Sequence, residues 1–105
     1  MELKKNFGLR LKELRKSKNW TQEQLAELVS VDTKHISFLE TGRNFPSADL
    51  LEKFKNVFEV DYKDIFNFKS YGLNKKDYQN RINSILDNMT ENQVYFIYKM
   101  VLELK

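Results

Sequence analysis

The sequence predicts an all-α fold: five short helices, then a C-terminal helical hairpin. Three observations carry this. The 105 residues include only one Pro and three Gly, too few for the tight turns of a sheet protein. Apolar residues recur at three- and four-residue spacing along most of the chain. Ser, Thr or Asp precedes several of these runs, as helix N-caps do.

The first helix is expected over residues 3–18, where Phe7, Leu11 and Leu14 make one apolar stripe and Lys4, Lys5, Lys12, Lys16 and Lys18 occupy the other faces. Gly8 permits close approach of a neighbouring helix, and Leu9 offers a second contact face. Thr21 and Gln24 form a capping box for the second helix, with Trp20 before it as a hydrophobic staple. Leu25, Leu28 and Val29 make its buried face, Ala26 allows a close crossing, and the helix ends near Ser30. Asp32 is the expected N-cap of a third helix over residues 33–41, with Ile36 and Leu39 buried and Gly42 as its left-handed end.

Residues 43–46 form a loop. Ser47 caps a fourth helix reaching about residue 59, with Leu50, Leu51, Phe54, Val57 and Phe58 apolar. Asp61 caps a short fifth helix ending near Phe66, where Ile65 and Phe66 seal the core. These elements define a domain over residues 1–67. Residues 68–74, with Phe68, Tyr71 and Gly72, read as a linker. The hairpin then covers residues 75–105: one helix to about residue 88 with Tyr78, Ile82, Ile85 and Leu86 apolar, a second capping box at Thr90 and Gln93, and a last helix with Val94, Ile97, Tyr98, Val101, Leu102 and Leu104.

Composition narrows the function. There is no Cys, hence no disulfide, no thiolate nucleophile and no Cys-based zinc site. No apolar run approaches the roughly 20 residues that span a bilayer. The N-terminus is basic without an apolar signal core, so a cytoplasmic location is expected. His35 is the single histidine and no carboxylate cluster accompanies it, so neither a metal nor a cofactor is expected. Asp61 with Asp64, and Asp77 with Asp87, read as helix-capping or solvated groups. A glycine-rich phosphate loop and a G-x-S-x-G motif are both absent, which argues against an enzyme. Tyr62, Phe66, Phe68, Tyr71, Tyr95, Phe96 and Tyr98 fall at helix ends and on apolar faces, as core or interface residues do.

The formal net charge is only +3, but seven Lys/Arg against two Glu in residues 1–20 give that end +5, while nine against nine in residues 46–105 give zero. A positive end suits a polyanionic partner, and equally an ordinary solvated helix face.

Residues 22–41 are the informative span. Leu25, Val29, Val31, Ile36 and Leu39, with the small Ala26, are what two short helices need to bury one face each across a tight turn. Thr33, Lys34, Ser37, Phe38 and Thr41 remain on the outward side of the second of these helices. A helix fits the major groove of duplex DNA, where such side chains meet base edges and phosphates.

The segments "FGLRLKELRKSKNWTQEQLAELV", "ISFLETGRNFP" and "LLEKFKNVFEVDYKDIF" resemble the Cro/C1-type (XRE-like) helix-turn-helix family of phage repressors and bacterial regulators, over residues 4–66. The shared spacing is Thr21-Gln22-x-x-Leu25-Ala26, then Ile36-Ser37-x-x-Glu40-x-Gly42, then Pro46. The resemblance implies a five-helix lambda-repressor-like domain that binds double-stranded DNA. It implies DNA-binding roles for Thr21 and Gln22 at the start of the second helix, with Gln22 on a backbone phosphate. Recognition positions fall on Thr33, Lys34, Ser37 and Phe38, and a phosphate-gripping loop on Thr41, Arg43 and Asn44. Arg15 and Glu40 match a structural ion pair. Two residues depart from the pattern. Ser30 stands where the family usually has Gly. Phe38 replaces a long polar reader, which leaves it three roles: contact with a thymine methyl, packing on the fourth helix, or contact with a partner.

The expected function is a transcriptional regulator, a repressor, that binds an inverted repeat as a homodimer with recognition helices about 34 Å apart. Dimerisation is expected through Ile82, Ile85, Leu86, Val94, Ile97, Val101 and Leu102, the alternative being that these pack back on the first helix near Leu3 and Leu9. A second reading is an antitoxin or regulatory interaction protein whose hairpin binds another protein. A third is a helix-turn-helix kept only as a scaffold.

Overall fold

The computed structural model describes residues 2–68 and 73–104. Residues 69–72, most of the linker expected from the sequence, lie outside that range, Tyr71 and Gly72 among them. The helices are α1 (Glu2–Ser17), α2 (Gln22–Leu28), α3 (Thr33–Glu40), α4 (Ala48–Phe58), α5 (Tyr62–Ile65), α6 (Lys75–Asp87) and α7 (Glu91–Glu103). Strands are absent among the described residues. The chain divides into two compact units, residues 1–68 and 69–105.

The first unit is built on α1. Its stripe of Phe7, Leu11 and Leu14 joins Leu25, Ala26 and Val29 from the α2 segment, Ile36 and Leu39 from α3, Leu50, Phe54 and Phe58 from α4, and Ile65 from α5. Burying a side chain of this size from water contributes about 1.5–3 kcal/mol. Aromatic rings run through the centre: Phe7 lies 5.3 Å from Phe45, 6.4 Å from Phe54 and 6.3 Å from Phe66, and Trp20 stacks on Phe58 at 5.7 Å. Gly8 is buried where α1 crosses the end of α3. A Cβ there would overlap the Leu39 carbonyl oxygen and stand 2.6 Å from that of Glu40. Only a residue without a side chain lets the two backbones approach so closely. The Arg10 Nε donates to the Asp64 carbonyl at 2.9 Å, which fastens α5 to α1.

Four helix ends share one closure, in which a left-handed residue lets two amides turn back to orphan carbonyls. Asn19, Ser30, Gly42 and Glu59 have φ of 59°, 59°, 79° and 57°. After each, the next amide reaches back five residues: Trp20 to Arg15, Val31 to Ala26, Arg43 to Phe38 and Val60 to Lys55, at 3.2, 3.0, 2.9 and 3.2 Å. The periodicity and the glycine identify only the third of these ends.

Two local expectations differ from the fold. Leu28 is 50% exposed. The buried arc of α2 runs from Leu25 through Val29 to Ala26, and Leu28 sits about 60° outside it at 100° per residue. Asp32 precedes α3 without a side-chain capping bond. Its own carbonyl takes the His35 amide at 3.0 Å instead. The fifth helix is a four-residue piece, and Phe66 follows it as the C-cap.

In the second unit, Asn74 and Asp77 cap α6 reciprocally and Thr90 and Gln93 cap α7 in the same way. Residues 88–90 join the two helices. No described residue of this unit is buried, so it has no core of its own. Among the described residues, no helix is long and apolar enough to cross a membrane.

Candidate nucleic-acid interface

The geometry starts from a buried clasp. Arg15 on α1 and Glu40 at the end of α3 are 8% and 7% exposed. Their fork is bidentate: Nε donates to Oε2 at 2.7 Å and Nη2 to Oε1 at 3.1 Å. The remaining Arg15 nitrogen, Nη1, donates to the Trp20 carbonyl at 2.8 Å. Gln22 on α2 adds a third bond to the carboxylate, Nε2 to Oε1 at 3.0 Å. One carboxylate thus receives donors from α1 and α2 and fixes α3 against both. Charges held so far from water need every partner they have, and no buried side-chain polar atom is left without one among the described residues.

The clasp orients the rest of α3. Ile36, Leu39 and Glu40 face inward. Thr33 and Lys34 are exposed, and Ser37 and Phe38 are half-buried. At 100° per residue these four share one arc of about 140°. Thr41, Arg43 and Asn44 are exposed just beyond it, and the Thr41 hydroxyl donates back to the Ser37 carbonyl at 2.9 Å. The closure at Gly42 carries the chain over the end of the helix. It brings the Arg43 guanidinium to 4.9 Å from the centre of the Phe38 ring, with the Lys34 ammonium 6.0 Å from that centre. Phe38 therefore neighbours cations of its own chain.

Gln22 and Thr21 sit differently from the other candidates. Gln22 is half-buried with its amide committed to Glu40. Thr21 is exposed, its hydroxyl oxygen capping α2 by accepting the Gln24 amide at 3.0 Å. The Gln22–Glu40 bond has no counterpart in any sequence pattern, because it spans 18 residues across a turn. The Lys34–Phe38 pair was legible as a four-residue helical spacing; Arg43 over the same ring was not. His35 is half-buried on α3. No group of three or more metal-ligating side chains occurs among the described residues.

In the second unit Ile82, Ile85 and Val101 are 54%, 58% and 55% exposed, together with Tyr95, Phe96, Tyr98 and Met100. Leu86, Val94, Ile97 and Leu102 are half-buried. The seven residues proposed for association therefore split into four half-buried and three exposed ones.

The chain is similar to known proteins. A helix-turn-helix family model matches residues 11–65, more than half of the chain. An uncharacterised HTH-type transcriptional regulator of Archaeoglobus fulgidus is 43% identical over 67 residues, which is 64% of this chain and 94% of that protein. Among solved structures, the restriction-modification controller protein C.AhdI from Aeromonas hydrophila aligns with a TM-score of 0.56 and 31% identity, over 59% of this chain and 94% of its own. The SinR protein/SinI protein complex aligns over 94% of this chain and 99% of the matched one, with a TM-score of 0.56; at 22% identity that likeness concerns the fold alone. The match to the helix-turn-helix model over residues 11–65 places this chain in the Cro/C1-type helix-turn-helix family of DNA-binding transcriptional regulators, which are not enzymes.

Proposed function

We propose that this regulator is a cytoplasmic repressor that reads the major groove with α3 and binds an inverted repeat as a homodimer. One observation supports the readout above all: the arc of α3 left open by the core carries Thr33, Lys34, Ser37 and Phe38, with Thr41, Arg43 and Asn44 exposed at its end. Lys34, Thr33 and Ser37 have the donors that base edges and phosphates accept, and Arg43 is the natural partner of a phosphate. Thr21 and the second amide hydrogen of Gln22, whose first goes to Glu40, are assigned to the backbone beside the groove, where contacts position the protein without reading sequence. Two-fold symmetry of the protein then matches two-fold symmetry of the operator.

The homodimer rests on the second unit. Two helices without a buried residue expose Ile82, Ile85, Tyr95, Phe96, Tyr98, Met100 and Val101 to water. Exposed apolar side chains in this number favour an interaction face. Self-association through it supplies the core that the unit lacks. The same surface favours a second reading, in which another protein takes it and the chain acts as an antitoxin or a regulated partner.

The test is binding of the purified chain to the duplex upstream of its own coding region, against a scrambled duplex, across salt. The expected result is preference for the natural duplex, with log K falling by about 0.9 per phosphate contact for each unit of log salt. Lys34→Ala weakens that preference while the fold persists. Light scattering should give twice the 12.6 kDa of one chain, and Ile85→Glu with Val101→Glu should return it to one. Equal, salt-insensitive binding to both duplexes overturns the readout. A dimer that survives both glutamates moves the interface elsewhere.

A further inference from the structure

We propose that Phe38 is a positioning residue of the DNA interface, a platform that holds Arg43 for the phosphate backbone, rather than a reader of bases. The inference rests on α3 being the groove-facing helix.

Three features converge on the ring. The first is the helix end. Phe38 is the residue whose carbonyl closes the α3 terminus, accepting the Arg43 amide at 2.9 Å and the Asn44 amide at 3.4 Å. In such closures the side chain of the residue two past the cap ordinarily makes a hydrophobic contact with the residue whose carbonyl it caps. Here the residues are Arg43 and Phe38, so the contact becomes a guanidinium over a ring, 4.9 Å from its centre. The second feature is Gly42. Its φ of 79° is what turns Arg43 back toward the helix, and a Cβ there would press on the α1 backbone at Lys5, 3.1 Å from its Cα. The loop is thereby held on both sides. The third is Lys34, one turn earlier on α3, with its ammonium 6.0 Å from the same ring.

A guanidinium on a flexible stem loses rotamer freedom when it grips a phosphate. One already laid against a ring has lost part of that freedom before binding, so the ring strengthens the grip without touching DNA. Phe38 has no group that hydrogen-bonds a base edge, and its electron-rich face is turned to its own cations. Half-buried as it is, it fits a support between side chains better than a probe at the groove floor.

The experiment compares Phe38→Leu, which keeps apolar bulk but removes the ring face, with Phe38→Tyr, which keeps the face. The first readout is the free chain by NMR. Ring current should shift the Arg43 side-chain protons upfield in the parent and in Phe38→Tyr, and not in Phe38→Leu. The second is affinity for a random-sequence duplex and for a duplex selected from a randomised library, across salt. Phe38→Leu should bind both about two- to fivefold more weakly, the range of an exposed cation–ring contact. Its salt slope should fall by up to about 0.9, one phosphate contact. Phe38→Tyr should restore both, and in an Arg43→Ala background Phe38→Leu should cost much less. An unshifted Arg43 in the parent overturns the platform. So does a Phe38→Leu variant whose only change is in preference at one base pair, which would assign the ring to direct readout. If the Arg43 shift is present but the parent shows no salt-dependent affinity for any duplex, it is the DNA-binding role of α3 that has failed, and the grip falls with it.

Discussion

Replacing Glu40 by Ala removes the acceptor of three short bonds: 2.7 and 3.1 Å from Arg15 and 3.0 Å from Gln22. The side chains of Arg15 and Glu40 are only 10% and 2% exposed, so water does not take the place of the carboxylate without some opening of the fold. The Arg15 charge would keep one partner, the Trp20 carbonyl. Leaving one partner of a buried pair uncompensated costs about 3–5 kcal/mol. Two charge-assisted bonds at about 1.5 kcal/mol each reach the lower end of that range independently. Against a total stability of about 5–15 kcal/mol, such a loss brings the chain close to unfolding. For a unit of this size it corresponds to a fall in Tm of about 12–24 °C for 3 kcal/mol. The assay is urea unfolding of the full chain, followed by far-ultraviolet circular dichroism and by fluorescence of Trp20, which stacks on Phe58. The double change Arg15→Met with Glu40→Leu should cost less than either broken pair, because nothing charged is left behind. A Glu40→Ala loss below about 1 kcal/mol, or single losses that add in the double variant, would refute the assignment of this pair as the buried clasp of the fold.

Gly8→Ala should destabilise by about 2–3 kcal/mol, since the added methyl meets backbone carbonyls of α3 and one of the two helices must move; a change within 0.5 kcal/mol, roughly the range of a neutral surface substitution, would show that the crossing is looser. Ser30→Gly should stabilise by about 0.5–1 kcal/mol, because Ser30 holds a φ of 59° that costs a side-chain-bearing residue more than glycine; calorimetric Tm is the check, and Glu59→Gly should behave alike. Gln22→Ala should lower stability by about 1 kcal/mol through its lost bond to Glu40 and weaken binding to all duplexes similarly; a loss confined to one base position contradicts the positioning role.

Much of this fold was written in local patterns. The Thr21–Gln24 and Thr90–Gln93 boxes appear with the bonds their spacing implies, because capping involves residues three apart and nothing distant. Phe7, Leu11 and Leu14 lie on one buried stripe for the same reason of period. Leu28 went astray because a two-turn helix has too few residues for period alone to locate the centre of its buried arc. The left-handed ends at Asn19, Ser30 and Glu59 carry no glycine to mark them: Asn takes that backbone at little cost, while the Cβ of Ser and Glu disfavours it.

The sequence by itself therefore determined the order of helices, the N-caps at Thr21, Ser47 and Thr90, the core stripe and the spacing of the helix-turn-helix, properties set mostly by residues within a few turns of each other. The tertiary structure alone decided that Gln22 shares Glu40 with Arg15, that Arg43 lies on Phe38, and that no residue of α6 or α7 is fully buried. Each of these depends on where a backbone goes after a turn. Whether φ at Gly42 or Ser30 is positive or negative redirects the chain after it, and no periodicity in the sequence records that angle.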